Sequence, residues 1–136
     1  MSPLVRWSRV GFNLVAWLFV GCVVVQFYLA GLGVFGSSSH FITHRDFGYL
    51  FGVLTLVLVV LALLGRFPRG LIVATIGLLL LFALQSVFLI LGNSAPTVAA
   101  LHIVNGVLIL GVATAIAWLT RGSLRATTDE AVLDRR

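Results

Sequence analysis

Apolar residues in this chain fall into four long runs, at about 10–35, 44–64, 71–91 and 97–119, separated by three short polar breaks. The first break is Gly36-Ser37-Ser38-Ser39-His40. The second is Gly65-Arg66-Phe67-Pro68-Arg69-Gly70, and the third is Gly92-Asn93-Ser94-Ala95-Pro96. Glycine and proline at these places end one element and start the next, and Pro96 suits the first turn of a helix. Each run is long enough to cross a hydrocarbon core as a helix, which takes about 20 residues. The runs lack the alternation of barrel strands, so helices are the spanning form left to them. The expected fold is all-α: a four-helix transmembrane bundle.

The two halves of the chain repeat one another. Gln26 and Gln85 lie 59 positions apart, as do Gly33 and Gly92; His44 and His102 lie 58 apart, as do Gly48 and Gly106. Each half reads as a glutamine in an odd-numbered helix, a glycine, a short loop, then His-x-x-x-Gly on an even-numbered helix. Runs one and two thus match runs three and four in the same order and direction. That order predicts a bundle built from two parallel helix-pair repeats, related by an axis along the membrane normal.

Composition agrees with a lipid-covered surface. Of 136 residues, 60% are hydrophobic and 10% charged, against about 25% charged in a soluble domain. Four spans leave no room for a separate soluble domain. The net charge is +5 and all nine basic residues are arginines. Arg6, Arg9, Arg66, Arg69, Arg121 and Arg125 fall on one side of the bundle. The other side holds only Arg45, next to Asp46. By the positive-inside rule the arginine-rich side is cytoplasmic, which puts residues 1–9 and the polar tail 121–136 there. The tail, with Asp129, Glu130 and Asp134 among its arginines, is expected to be a frayed end. The protein is expected in the inner (plasma) membrane. Trp7 and Trp118 then sit near the inner interface. No basic run is long enough to track a nucleic-acid backbone. The first run is too long for a signal-peptide core and is expected to be retained. Cys22, the one cysteine, forms no intrachain disulfide and reads as a small buried hydrophobe.

Candidate chemistry centres on His44 and His102. Each lies near the start of an even-numbered helix, within about 10 Å of the outer boundary at 1.5 Å per residue. Two neutral imidazoles on different helices can take both axial positions of a haem iron. Gly48 and Gly106, four residues on, share a face with their histidine and leave room for a flat macrocycle. The competing reading is that both histidines are interfacial and bond loop backbone and water. Gln26 and Gln85 lie deeper. They either bond between helices or help orient an imidazole or contact the haem edge. Arg45 either neutralises a haem propionate or forms a solvated pair with Asp46. If helix two starts early, His40 shares a face with His44, and a three-histidine copper or zinc site with His102 follows. No nucleophile arrangement is visible, and Asp46 is the only carboxylate side chain on the outer side, so paired-carboxylate chemistry is excluded there. A stand-alone enzyme is not expected.

At these residues the chain resembles half of a haem A synthase. Phe41-Ile42-Thr43-His44-Arg45-Asp46-Phe47-Gly48 is similar to that family's histidine motif on helix two. Leu101-His102-Ile103-Val104-Asn105-Gly106 is similar to the motif on helix four, and Gln26-Phe27-Tyr28-Leu29-Ala30-Gly31 to its Gln-x-x-Leu-Gly-Gly pattern on helix one. The chain also resembles a group of small four-span bacterial membrane proteins with the same segments. The resemblance covers residues 10 to 120 and implies a haem-binding bundle. Two departures separate it from haem A synthesis. The glutamate that precedes the family's first histidine is absent, since His40, Phe41, Ile42 and Thr43 stand there. The cysteine pair of many bacterial members' first outer loop is absent too. Fold likeness alone does not transfer activity.

The expected function is therefore a small b-type cytochrome or haem carrier. His44 and His102 ligate iron, Gln26 and Gln85 line the pocket, and electrons or haem move near the outer face. The alternative is a non-catalytic membrane subunit or scaffold of a larger, for example respiratory, complex. A transporter fits less well, because no span carries a central charge. Small residues Gly21, Ala30, Gly31 and Gly33 on span one, and Gly48 and Gly52 on span two, suit either a C2 homodimer or packing inside the bundle. A respiratory-complex partner competes with the homodimer.

Overall fold

A computed structural model describes residues 1–92 and 94–122. Asn93 of the third break, and Arg125, Asp129, Glu130 and Asp134 of the expected tail, lie outside the described residues. The described chain is four helices and no strands: α1 Pro3–Phe35, α2 His40–Leu64, α3 Arg69–Gly92 and α4 Pro96–Thr120. All four are long and apolar enough to cross a membrane.

The helices form a ring. α1 packs on α2 and α4, and α3 packs on α2 and α4, so α2 and α4 stand diagonally across the bundle axis. Large apolar side chains point outward as well as inward: Leu50 is 73% exposed, Leu119 68% and Val73 67%. Water does not tolerate that much contiguous apolar surface, whereas acyl chains do. Helical threonines donate back to their own helix, Thr75 to Leu71 O and Thr114 to Leu110 O. Their hydroxyls need no water there.

The α1 helix has 33 residues, about 50 Å at 1.5 Å per residue, so it outruns a hydrocarbon core of about 30 Å. Its first turns carry the excess, starting at Pro3 with Ser2 as N-cap. Arg9 there reaches back to the end of α2. Its Nε donates to Gly65 O at 2.8 Å, its Nη2 donates to Arg66 O at 3.3 Å, and the guanidinium lies 5.2 Å from the Phe67 ring centre. The turn it clamps is a Schellman close, with Phe67 N–H on Ala62 O and Arg66 N–H on Leu63 O. Arg66 takes the left-handed backbone, φ 48°, that glycine usually supplies at this place.

Two buried asparagines join helices. Asn13, 0% exposed, donates to Ala117 O at 2.7 Å and to Thr120 Oγ1 at 2.9 Å, tying α1 to α4 near the arginine-rich end. Asn105 donates to Leu81 O at 2.7 Å, tying α4 to α3. In hydrocarbon a free amide costs more than a bonded one, so both side chains point inward. Midway along the bundle Phe82 meets Phe19 and Phe51 edge to face and Phe19 meets Phe51 at a tilt, with ring centres 5.2 to 5.8 Å apart. This aromatic plug closes the bundle beneath a cavity at the opposite end.

Of the small residues expected to serve either a dimer or the bundle, three are used inside. A Cβ at Gly33 would meet the Phe41 ring at 2.7 Å, one at Gly52 the Phe82 ring at 2.6 Å, and one at Gly48 the Gln26 amide at 2.6 Å. Gly21 and Gly31 have nothing within 4 Å of that position.

Candidate functional site

Above the plug, a partly open cavity of about 260 Å³ takes lining from all four helices. α1 contributes Gln26 and Phe27, α2 His44, Arg45 and Gly48, α3 Phe82 and Gln85, and α4 His102 and Gly106. All seven site residues picked out in the sequence therefore face one space.

The two imidazoles meet across it. Their ring centres are 6.1 Å apart with an angle of 60° between the planes. They belong to α2 and α4, the diagonal pair, so the meeting point is near the bundle axis. Each ring is held by a neighbouring helix. His44 Nδ1 lies 3.1 Å from Gln26 O, and His102 Nδ1 lies 3.1 Å from Gln85 O. A carbonyl oxygen only accepts, so Nδ1 carries the proton and donates in both cases. The lone pair is thereby left on Nε2 of each ring, the form that binds a metal. A helical carbonyl has a second lone pair beyond the one used along its own helix, which is why these two can accept again.

The glutamines thus orient the imidazoles with their main chain, where the sequence suggested their side chains. The side-chain amides do other work. Gln26 Nε2 sits in the notch that Gly48 leaves, and Gln85 Nε2 lies 3.4 Å from where a Cβ of Gly106 would stand. The space expected to accept a macrocycle beneath each histidine is here taken up by an amide, with the cavity beside it. Gln85 Oε1 accepts from Asn105 Nδ2 at 3.0 Å. Gln26 Oε1 is buried without a hydrogen-bond partner.

Arg45 lines the cavity mouth while its guanidinium pairs with Asp46 at 2.8 Å. Both side chains are 60% exposed, so this is a solvated pair at the boundary, and solvated pairs contribute little. α2 does start early, at His40, one turn before His44. The three-histidine site that this start would permit is nevertheless not formed. His40 is not among the cavity's lining residues, and among the described residues no group of three or more His, Cys, Asp or Glu is placed to hold a metal ion.

Sequence reasoning passed over Asn13 and Asn105. A polar side chain inside an apolar run is the sign that marks both. Asn105 bears on the site, since it holds the Gln85 amide still.

No curated protein and no solved structure matches the chain. Residues 26–92 match a family described as a family of unknown function, DUF6220. The matched stretch opens at Gln26, takes in His44 and Gln85, and stops short of His102. The resemblance to haem A synthases rests on the quoted motifs alone; what the comparison adds is that residues 26–92 are similar to a family whose function is unknown.

Proposed function

We propose that this is a small membrane b-type haem protein, with His44 and His102 as the axial ligands and the arginine-rich end in the cytoplasm. The observation that carries the reading is the imidazole pair, ring centres 6.1 Å apart across the bundle. With a metal–nitrogen bond of about 2 Å and a nitrogen about 1 Å from its ring centre, one ion between two imidazoles sets the ring centres about 6 Å apart. Both Nε2 atoms carry lone pairs, because both Nδ1 protons are committed to carbonyls. That arrangement also fixes the orientation of both rings.

The donor set favours haem over a bare ion. Zinc or copper held by protein alone asks for three or four ligands, and the described residues offer two. A porphyrin brings its own four nitrogens and needs from the protein only the axial pair. The cavity walls are largely apolar, as a macrocycle requires, and Arg45 stands at the mouth with its charge paired to Asp46. Bound haem supplies one-electron chemistry. The chain's own part is to hold two imidazoles with Nε2 free, to wall the cavity from beneath with Phe19, Phe51 and Phe82, and to keep the site near the outer face.

Single replacements test it. In His44→Ala and in His102→Ala the six-coordinate absorption spectrum is lost, while circular dichroism keeps the helix content of the wild type. A variant pair that both retain the wild-type spectrum overturns the ligand assignment. The scaffold reading is favoured instead if the double replacement by glutamine still assembles and leaves the cellular role intact.

A further inference from the structure

We propose that the arginine-rich end of the bundle holds one anionic phospholipid, with its headgroup on Arg66, Arg69 and Arg121 and an acyl chain in the groove between α3 and α4. The groove has a volume of about 530 Å³ and is separate from the histidine cavity. Its walls are apolar, among them Phe67, Leu71, Ala74, Ala115 and Ile116. Thr120 also lines it, and its hydroxyl is already spent on Ile116 O at 2.9 Å, so the groove asks its occupant for no hydrogen bond. An apolar recess on a lipid-covered surface is a place for an acyl chain.

Charge decides which lipid. Arg66 and Arg69 bracket Phe67 and Pro68 at the groove's end, and both are exposed. Arg121 follows Thr120 and stands over the Trp118 ring, 3.6 Å from its centre, at the interfacial level where tryptophan belongs. Among the described residues Asp46 is the one carboxylate side chain, and it sits at the opposite end, paired with Arg45. The three guanidinium groups therefore meet no carboxylate among the described residues at their own end. Guanidinium forks suit phosphate oxygens, and basic pockets between membrane helices bind acidic headgroups. A zwitterionic headgroup would bring a cation against these arginines.

The test is native mass spectrometry of the full chain, released from mild detergent after incubation with equal amounts of dioleoylphosphatidylglycerol and dioleoylphosphatidylcholine. The wild type is expected to retain phosphatidylglycerol selectively. Arg66→Gln and Arg69→Gln each cut that retention about fivefold, and the Arg66→Lys/Arg69→Lys double variant keeps the selectivity. Ala115→Trp fills the groove and lowers retention with the arginines untouched; Ala74→Leu does the same more mildly, should the tryptophan variant not fold. Equal retention of the two lipids by the wild type overturns the proposal. So does selectivity unchanged by both groove variants, which would reduce the effect to general surface charge.

Discussion

In the α1/α2 half His44 donates from Nδ1 to Gln26 O, and in the α3/α4 half His102 donates to Gln85 O, both at 3.1 Å. Around that shared contact the halves part. Gln85 Oε1 accepts from Asn105, whereas Gln26 Oε1 has no partner. The position 58 before Asn105 is Phe47, which packs on Phe51 with ring centres 5.3 Å apart. Gly33 faces the ring of Phe41, whereas Gly92 faces the Cβ and backbone of Ala99. The contact made twice is the one that sets the imidazole tautomer and aim. It uses a main-chain carbonyl, which side-chain replacement leaves in place. The contacts that differ are side-chain partners, which serve local packing.

Close helix approach gives the largest expected difference between the halves. A Cβ added at Gly92 would stand 2.5 Å from Ala99 Cβ and 3.0 Å from its Cα, atoms that move only with the helix. Gly92→Ala is expected to destabilise by about 2 kcal/mol, as overpacking against backbone does. At Gly33 the obstacle is the Phe41 ring, 44% exposed and able to swing away. The helix-propensity gain of alanine, up to about 1 kcal/mol, offsets most of that cost, so Gly33→Ala comes out near zero. Denaturation by SDS titration in mild detergent measures both. Equal costs at the two glycines would mean that the loops close alike.

A smaller contrast is expected at the glutamines. Gln85→Leu takes an acceptor from Asn105, and a membrane hydrogen bond is worth about 0.6 kcal/mol, so a loss of about that size is expected. Gln26→Leu removes an acceptor that has no partner and is expected to be neutral or slightly stabilising. The same SDS titration reads both variants. A Gln26→Leu loss as large as that of Gln85→Leu would show that the amide at position 26 is bonded after all, and the asymmetry would fall.

Much of the fold is legible in the sequence because lipid permits so little else. Runs such as Val53–Leu64 can only be helix there, and Gly65, Pro68 and Pro96 mark where helix gives way. The helix starts are less legible. Residues 3–9 and 40–43 are helical although they are more polar than the runs they precede, because capping and a backbone turn at Ser37–Ser39 decide those ends. The histidines and their glutamines are legible as rare polar residues at matched spacing. Their meeting across the axis depends on which helices are diagonal, and spacing along the chain does not carry that. Nor does it reveal that Gln26 acts through its carbonyl, since every residue has one, or that Phe47 denies the Gln26 amide the partner its counterpart has. Asn13 and Asn105 carry the same signal as the glutamines, a polar side chain within an apolar run, but neither stands at matched spacing.

The most direct test of the account is the absorption spectrum of the purified wild-type protein from haem-replete cells, recorded oxidised and then reduced with dithionite. Two imidazoles that close on one iron predict six-coordinate haem, with a sharp α band on reduction and about one haem per chain. A colourless protein, folded and helical by circular dichroism, would contradict the central claim and leave His44 and His102 as packing residues of a membrane scaffold.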